Sequence, residues 1–109
     1  MDYPTEATAV VRLSLMQPKP GAQERVLELQ QQIVSWLPGK PGSIAGYIIV
    51  GGDPQGRVGH VSIFRSEQDA DQAAQSDHVL AIRSELLLVI EEDSHVEHSY
   101  IGVDPTKLR

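Results

Sequence analysis

Residues 7–16 read Ala7-Thr8-Ala9-Val10-Val11-Arg12-Leu13-Ser14-Leu15-Met16. Ala7, Ala9, Val11, Leu13 and Leu15 alternate with Thr8, Val10, Arg12, Ser14 and Met16. A period of two, rich in β-branched residues, predicts a strand whose two sides meet different surroundings. Pro18-Lys19-Pro20-Gly21 ends it, because proline neither donates to a ladder nor continues a strand.

Working outward, residues 22–37 predict a helix. Val26, Leu29, Ile33 and Leu37 recur at helical spacing with Leu27 and Val34 beside them, and Gln23, Glu24, Gln30 and Gln31 fall on the other side. Pro38-Gly39-Lys40-Pro41-Gly42 stops it. Trp36, at its end, reads as a packing residue. Residues 44–50 and 57–64 predict two strands joined by Gly51-Gly52-Asp53-Pro54-Gln55-Gly56, a hairpin with a long loop. Gly51-Gly52 has no following helix and no nearby lysine, so it does not read as a phosphate cradle. A second helix starts after Ser66, whose hydroxyl suits a cap with Asp69 three residues on. Ser76-Asp77 restarts or kinks it, and it runs to about Glu92. Residues 95–103 predict the last strand.

The order β, α, β, β, α, β predicts an α+β fold: a ferredoxin-like four-stranded antiparallel sheet with both helices on one side. The 109 residues suffice for one domain and one core, with residues 7–104 expected to be structured. Without cysteine there are no disulfides, thiolate nucleophiles or zinc–thiolate sites, which fits a cytoplasmic protein best. Met1-Asp2-Tyr3-Pro4-Thr5-Glu6 does not read as a secretory signal, and the longest apolar run, residues 86–90, is far below the ~20 residues that span a bilayer. Net charge is −6. Between Glu67 and Glu97 the acids are opposed by Arg83 alone as fixed positive charge, so nucleic acid and anionic membrane are not expected partners.

The more apolar side of the sheet carries Ala9, Val11, Leu13, Ile44, Ile48, Val50, Val61 and Ile63, and is expected to face the helices. The other carries Val10, Arg12, Ser14, Met16, Tyr47, Ile49, Val58, His60, Ser62 and Phe64. Four strands of about eight residues present roughly 27 by 19 Å, or ~500 Å², on each side. An uncovered patch of that size marks an interface or ligand site. The expected solution is a homodimer through the sheet face, two sheets enclosing a cavity.

Three stretches resemble the dimeric α+β barrel superfamily, especially its antibiotic-biosynthesis-monooxygenase-like domains. They are Pro20-Gly21, Pro41-Gly42-Ser43-Ile44-Ala45-Gly46-Tyr47 and Ser62-Ile63-Phe64-Arg65-Ser66-Glu67, joined by a Ser-x-His element at Ser76-Asp77-His78. The resemblance implies a homodimer with a cavity between helices and sheet, and monooxygenases that use oxygen without a cofactor on small aromatic or polyketide-like substrates. It also takes in haem-degrading enzymes. Both groups commonly use an asparagine in the first strand and a tryptophan ending the third. This chain has no asparagine, and Phe64 stands at the tryptophan position. Arg83 stands where the haem-degrading proteins place an axial histidine, so haem degradation is not expected and no cofactor is assigned.

Arg12 and His60 fall near the middles of the first and third strands, adjacent in this topology, and share a side by parity. His60 suits removal of a proton from an acidic hydroxyl, with Arg12 holding the anion. Tyr47, Phe64 and Met16 would supply apolar walls, with Ser62 on the same side, and the resemblance extends the substrate set to His78. The alternative pairs Arg12 with an acid of the partner subunit and makes His60 a hydrogen-bonded interior residue. In His95-Val96-Glu97-His98 the two histidines point to opposite faces of a strand and do not chelate one ion, so no metal is assigned and Asp93, His95 and Glu97 read as a polar edge. Two functions stay open: a cofactor-independent monooxygenase, or a non-catalytic dimer that binds a small ligand or serves in stress.

Overall fold

A computed structural model describes residues 2–52 and 54–108. Its elements run β1 (Thr8–Met16), α1 (Gln23–Val34), β2 (Ser43–Ile49), β3 (Val58–Phe64), α2 (Glu67–Ala74), α3 (Asp77–Val89) and β4 (Val96–Val103). The strands form one antiparallel sheet in the order β2-β3-β1-β4, the ferredoxin-like arrangement. No helix among the described residues is long and apolar enough to cross a membrane.

Local chemistry accounts for the element ends. The α1 helix stops three residues short of the predicted end because Trp36 and Leu37 bond back to Ile33 and Val34, tightening the last turn. The predicted second helix is two. Ser76 turns extended (φ −66°, ψ 151°), its hydroxyl donates to the Ala73 carbonyl at 2.8 Å, and it accepts from the Val79 N–H at 3.2 Å, capping α3. Ser66 caps α2 in the same way by accepting from the Asp69 N–H at 3.1 Å. Gly42 enters β2 with φ +74°, and a Cβ there would overlap Asp69 Oδ2 at 2.2 Å, so that turn needs glycine.

For β1 and β3 the helices cover the side opposite to the one expected, whereas Ile48 of β2, opposite His60, is on the helix-facing side as expected. Met16 and Val58 pack with Val26, Leu29 and Ile33 of α1 and Ile82 and Leu86 of α3. At the other end Val10 and Phe64 pack with Leu37 and Ala70. The side bearing Val10, Arg12, Ser14, Met16, Val58, His60, Ser62 and Phe64 is therefore the helix-facing one. Its large apolar groups sit at the strand ends, where they anchor helices, and its polar groups sit between them.

No helix among the described residues covers the other side. It presents Ala9, Val11, Leu13 and Leu15 of β1 and Val61 and Ile63 of β3. A register shift between Ser43 and Ala45 brings Ala45, Tyr47 and Ile49 of β2 onto this same side, and β4 adds Val96, His98 and Tyr100. Tyr47 and Ile49 thus sit away from His60 and Phe64, contrary to simple parity. Gln30 is also displaced from expectation: assigned to the polar side of α1, it is fully buried against the sheet.

Candidate functional site

Between the two apolar clusters the sheet carries two cross-strand polar rows, His60–Ser14–Glu97 and Ser62–Arg12–Ser99, running over β3, β1 and β4. Above them α2 lines the space with Ala70, Ala73 and Ala74. Small side chains over short polar ones leave a space of about 420 Å³, closed further by Ile33, Leu37, Val79, Leu86 and Leu87. That volume lies toward the lower end of the ~300–1,000 Å³ usual for small-molecule sites, with the expected mixture of apolar wall and few polar groups.

His60 is held from below. Its Nδ1 lies 2.6 Å from Gln30 Oε1, while Gln30 Nε2 donates to Met16 Sδ at 3.3 Å. A thioether accepts but does not donate, so the amide is oriented with its oxygen toward the ring and Nδ1–H is the donor. The lone pair is then on Nε2, which has no hydrogen-bond partner among the described residues. Burial pushes the His60 pKa from 6.5 down to about 4, with Glu97 opposing and Arg83 and His95 adding to the fall. At neutral pH the ring is uncharged.

Arg12 donates through one terminal nitrogen to Asp71 Oδ1 at 2.7 Å, with Glu67 Oε1 at 4.0 Å. The acid that meets it is thus in its own chain, on α2. Its Nε is buried with no hydrogen-bond partner in the described structure. On the β4 side, Ser14 Oγ lies 2.8 Å from His95 Nε2, that nitrogen lies 3.5 Å from Glu97 Oε1, and Arg83 donates to the same Glu97 oxygen at 2.5 Å. Burial lowers the His95 pKa, against Glu97 and with Arg83.

Of the residues singled out in the sequence, Arg12, His60, Met16, Ser62 and Phe64 line this cavity. Tyr47 does not: it is 60% exposed on the bare side of the sheet. His78 also stands apart, stacked on Trp36 at 4.9 Å and bonded through Nε2 to the Gln32 carbonyl at 3.1 Å, where it ties α3 to the end of α1. Gln30, Ser14, Asp71, Arg83, His95 and Glu97 were missed as site residues. The alternation of β1 placed Ser14 on the right side, but Arg83, His95 and Glu97 meet the cavity, and Gln30 and Asp71 meet His60 and Arg12, from elements far away in sequence. His98 borders the cavity but turns its ring to the bare side beside Tyr100, and among the described residues no three or more His, Asp or Glu side chains are grouped to hold a metal ion.

The fold recurs in solved structures of low sequence identity. Rv0793 from Mycobacterium tuberculosis is 15% identical with a TM-score of 0.77, over 93% of this chain and 100% of that one. A candidate antibiotic biosynthesis monooxygenase from Nitrosomonas europaea is 16% identical with a TM-score of 0.74, over 94% and 95% of the two chains. SnoaB, a cofactor-independent oxygenase from Streptomyces nogalater solved as a mutant, is 8% identical with a TM-score of 0.66, over 91% and 94%. No family model and no curated protein matches the chain. The chain therefore has the fold of the antibiotic-biosynthesis-monooxygenase-like proteins that its sequence resembles, and at these identities the likeness is one of fold.

Proposed function

We propose that this chain is a cytoplasmic homodimer, paired through its bare sheet face, in which each helix–sheet cavity takes a small aromatic or polyketide-like ligand with an acidic hydroxyl and oxidises it with molecular oxygen, without a cofactor. The observation that carries this reading is the open, uncharged Nε2 of His60 on the floor of a cavity walled by alanines and leucines.

The ligand hydroxyl donates to His60 Nε2, and the buried Arg12 Nε–H meets the oxygen as negative charge grows on it. Glu97, whose charge favours the protonated ring, offsets part of the burial penalty when the proton moves. The electron-rich ring then reduces oxygen. A ring C–H and the O–H are lost, one atom of dioxygen enters as a new carbonyl, and the other leaves as water with both hydrogens. The ligand supplies all the electrons, so the balance closes without a reductant.

Area supports the dimer. Two bare faces of ~500 Å² bury together about the 1,000 Å² a specific interface needs, and the side chains on this face are almost all apolar. One observation favours the second reading, a dimer that binds without turnover: His60 is a weak base, and Asp71 already meets Arg12. Oxygen uptake with a panel of electron-rich phenols, beside mass spectrometry of co-purified ligands, separates the two. Uptake lost in His60→Ala supports oxygenation. Uptake unchanged in that variant rejects the role of His60, and saturable binding without uptake leaves the binding protein.

A further inference from the structure

We infer that Ser14 is the specificity-determining donor of the cavity, its hydroxyl aimed inward by the chain Arg83–Glu97–His95, so that the cavity selects a neutral carbonyl-bearing ligand over a carboxylate of the same shape. The inference rests on reading the cavity as the ligand site.

Ser14 is buried in the floor, and its Oγ touches His95 Nε2 at 2.8 Å. Glu97 Oε1 lies 3.5 Å from that same nitrogen and is held by Arg83 at 2.5 Å. A carboxylate oxygen repels a ring lone pair and attracts a ring N–H, so Nε2 carries the hydrogen. Ser14 Oγ therefore accepts from His95, and its own hydrogen is left over. No second partner for Ser14 Oγ is found among the described residues. A buried O–H without an acceptor is unfavourable, and a ligand oxygen reaching the floor relieves it.

Charge decides which oxygen. The two arginines of the cavity each meet a carboxylate, Arg12 on Asp71 and Arg83 on Glu97. The cavity thus offers an O–H at Ser14 and an N–H at Arg12 Nε without an unbalanced positive charge. A ligand carboxylate at Ser14 would lie near Glu97 and gain no compensating cation, whereas a ketone oxygen takes the same hydrogen bond without repulsion.

The test is equilibrium binding under nitrogen, by NMR titration, of α-tetralone, tetralin and tetralin-carboxylate. The three share one ring frame and carry a carbonyl, nothing, or a charge. Tetralone is expected to bind about threefold to tenfold tighter than tetralin, as one hydrogen bond supplies, and the carboxylate is expected to bind most weakly. Ser14→Ala should bring tetralone down to the affinity of tetralin and leave tetralin unmoved. His95→Leu should act in the same direction, while His95→Gln, which keeps an amide N–H, should retain most of the preference. The inference is overturned if the carboxylate binds tightest, if Ser14→Ala weakens tetralone and tetralin alike, or if none of the three saturates below millimolar concentration. Oxygen uptake plays no part in this readout. Failure to oxidise phenols with the binding pattern intact removes only the oxygenase reading, and oxidation without the pattern removes only this one.

Discussion

Replacing His60 by glutamine should flatten the acid limb of the stability curve. The native ring titrates at about 4, mainly because burial disfavours its charge, against 6.5 for an ordinary histidine. Between those values the unfolded chain binds a proton that the native state refuses, so stability falls as pH drops through 6.5 toward 4 and this contribution levels off below. At 1.36 kcal/mol per pH unit, going from pH 7.5 to pH 4.5 removes about 2.5 kcal/mol through this one group. Glutamine carries no such proton and keeps an amide to face Gln30. Urea unfolding of both proteins at the two pH values and one protein concentration reads the difference, with carboxylates and His95 common to each. The native protein should lose about 2.5 kcal/mol more than the variant. Equal losses would mean that His60 titrates like a solvated histidine, and the account of a buried neutral base would fail.

Val61→Lys puts a charge in the middle of the bare sheet face and should convert the proposed dimer to monomer in analytical ultracentrifugation while the circular dichroism stays native; a dimer that survives would place the interface elsewhere. Ala73→Leu adds three carbons to the roof and should abolish binding of naphthol-sized ligands with little change in melting temperature. Ser76→Ala removes the cap of α3 and should destabilise by about 1 kcal/mol in urea titrations; no change would mean that the cap is not a determinant of the break between α2 and α3.

The strands and helices were legible because each is written in local patterns: the alternation through β1, the 3–4 spacing of Val26, Leu29 and Ile33, the serine caps, and the proline and glycine stops. The side covered by helices was not. Both sides of this sheet are apolar enough to be buried, one by helices and one left bare, and counting apolar residues does not tell them apart. What decides is where the large groups stand. Val10, Met16, Val58 and Phe64 at the strand ends hold the helices, and the polar centre they frame becomes the cavity. The register shift at Ser43 and Ala45 then moved Tyr47 across the sheet, which no periodicity announces.

The pairing of Arg12 and His60 on one side was legible from strand order and parity. Their partners were not. Gln30 reads as a solvated helix residue, yet it is buried because α1 lies on β3 at that point and His60 needs its carbonyl. His95 and Glu97 read as an exposed edge, because nothing local shows that Ser14 and Arg83 come to meet them.

The four histidines offer the most direct test of the central claim, that ligands enter between helices and sheet and that the bare face serves the partner. His60 and His95 line the cavity, His98 borders it from β4 with its ring turned to the bare face, and His78 stacks on Trp36 outside both. Titration with 1-naphthol, following the imidazole carbon-bound protons by NMR, should move the signals of His60 and His95 together, move His98 less than either, and leave His78 in place. Movement of His98 with His60 and His95 unmoved would contradict the account.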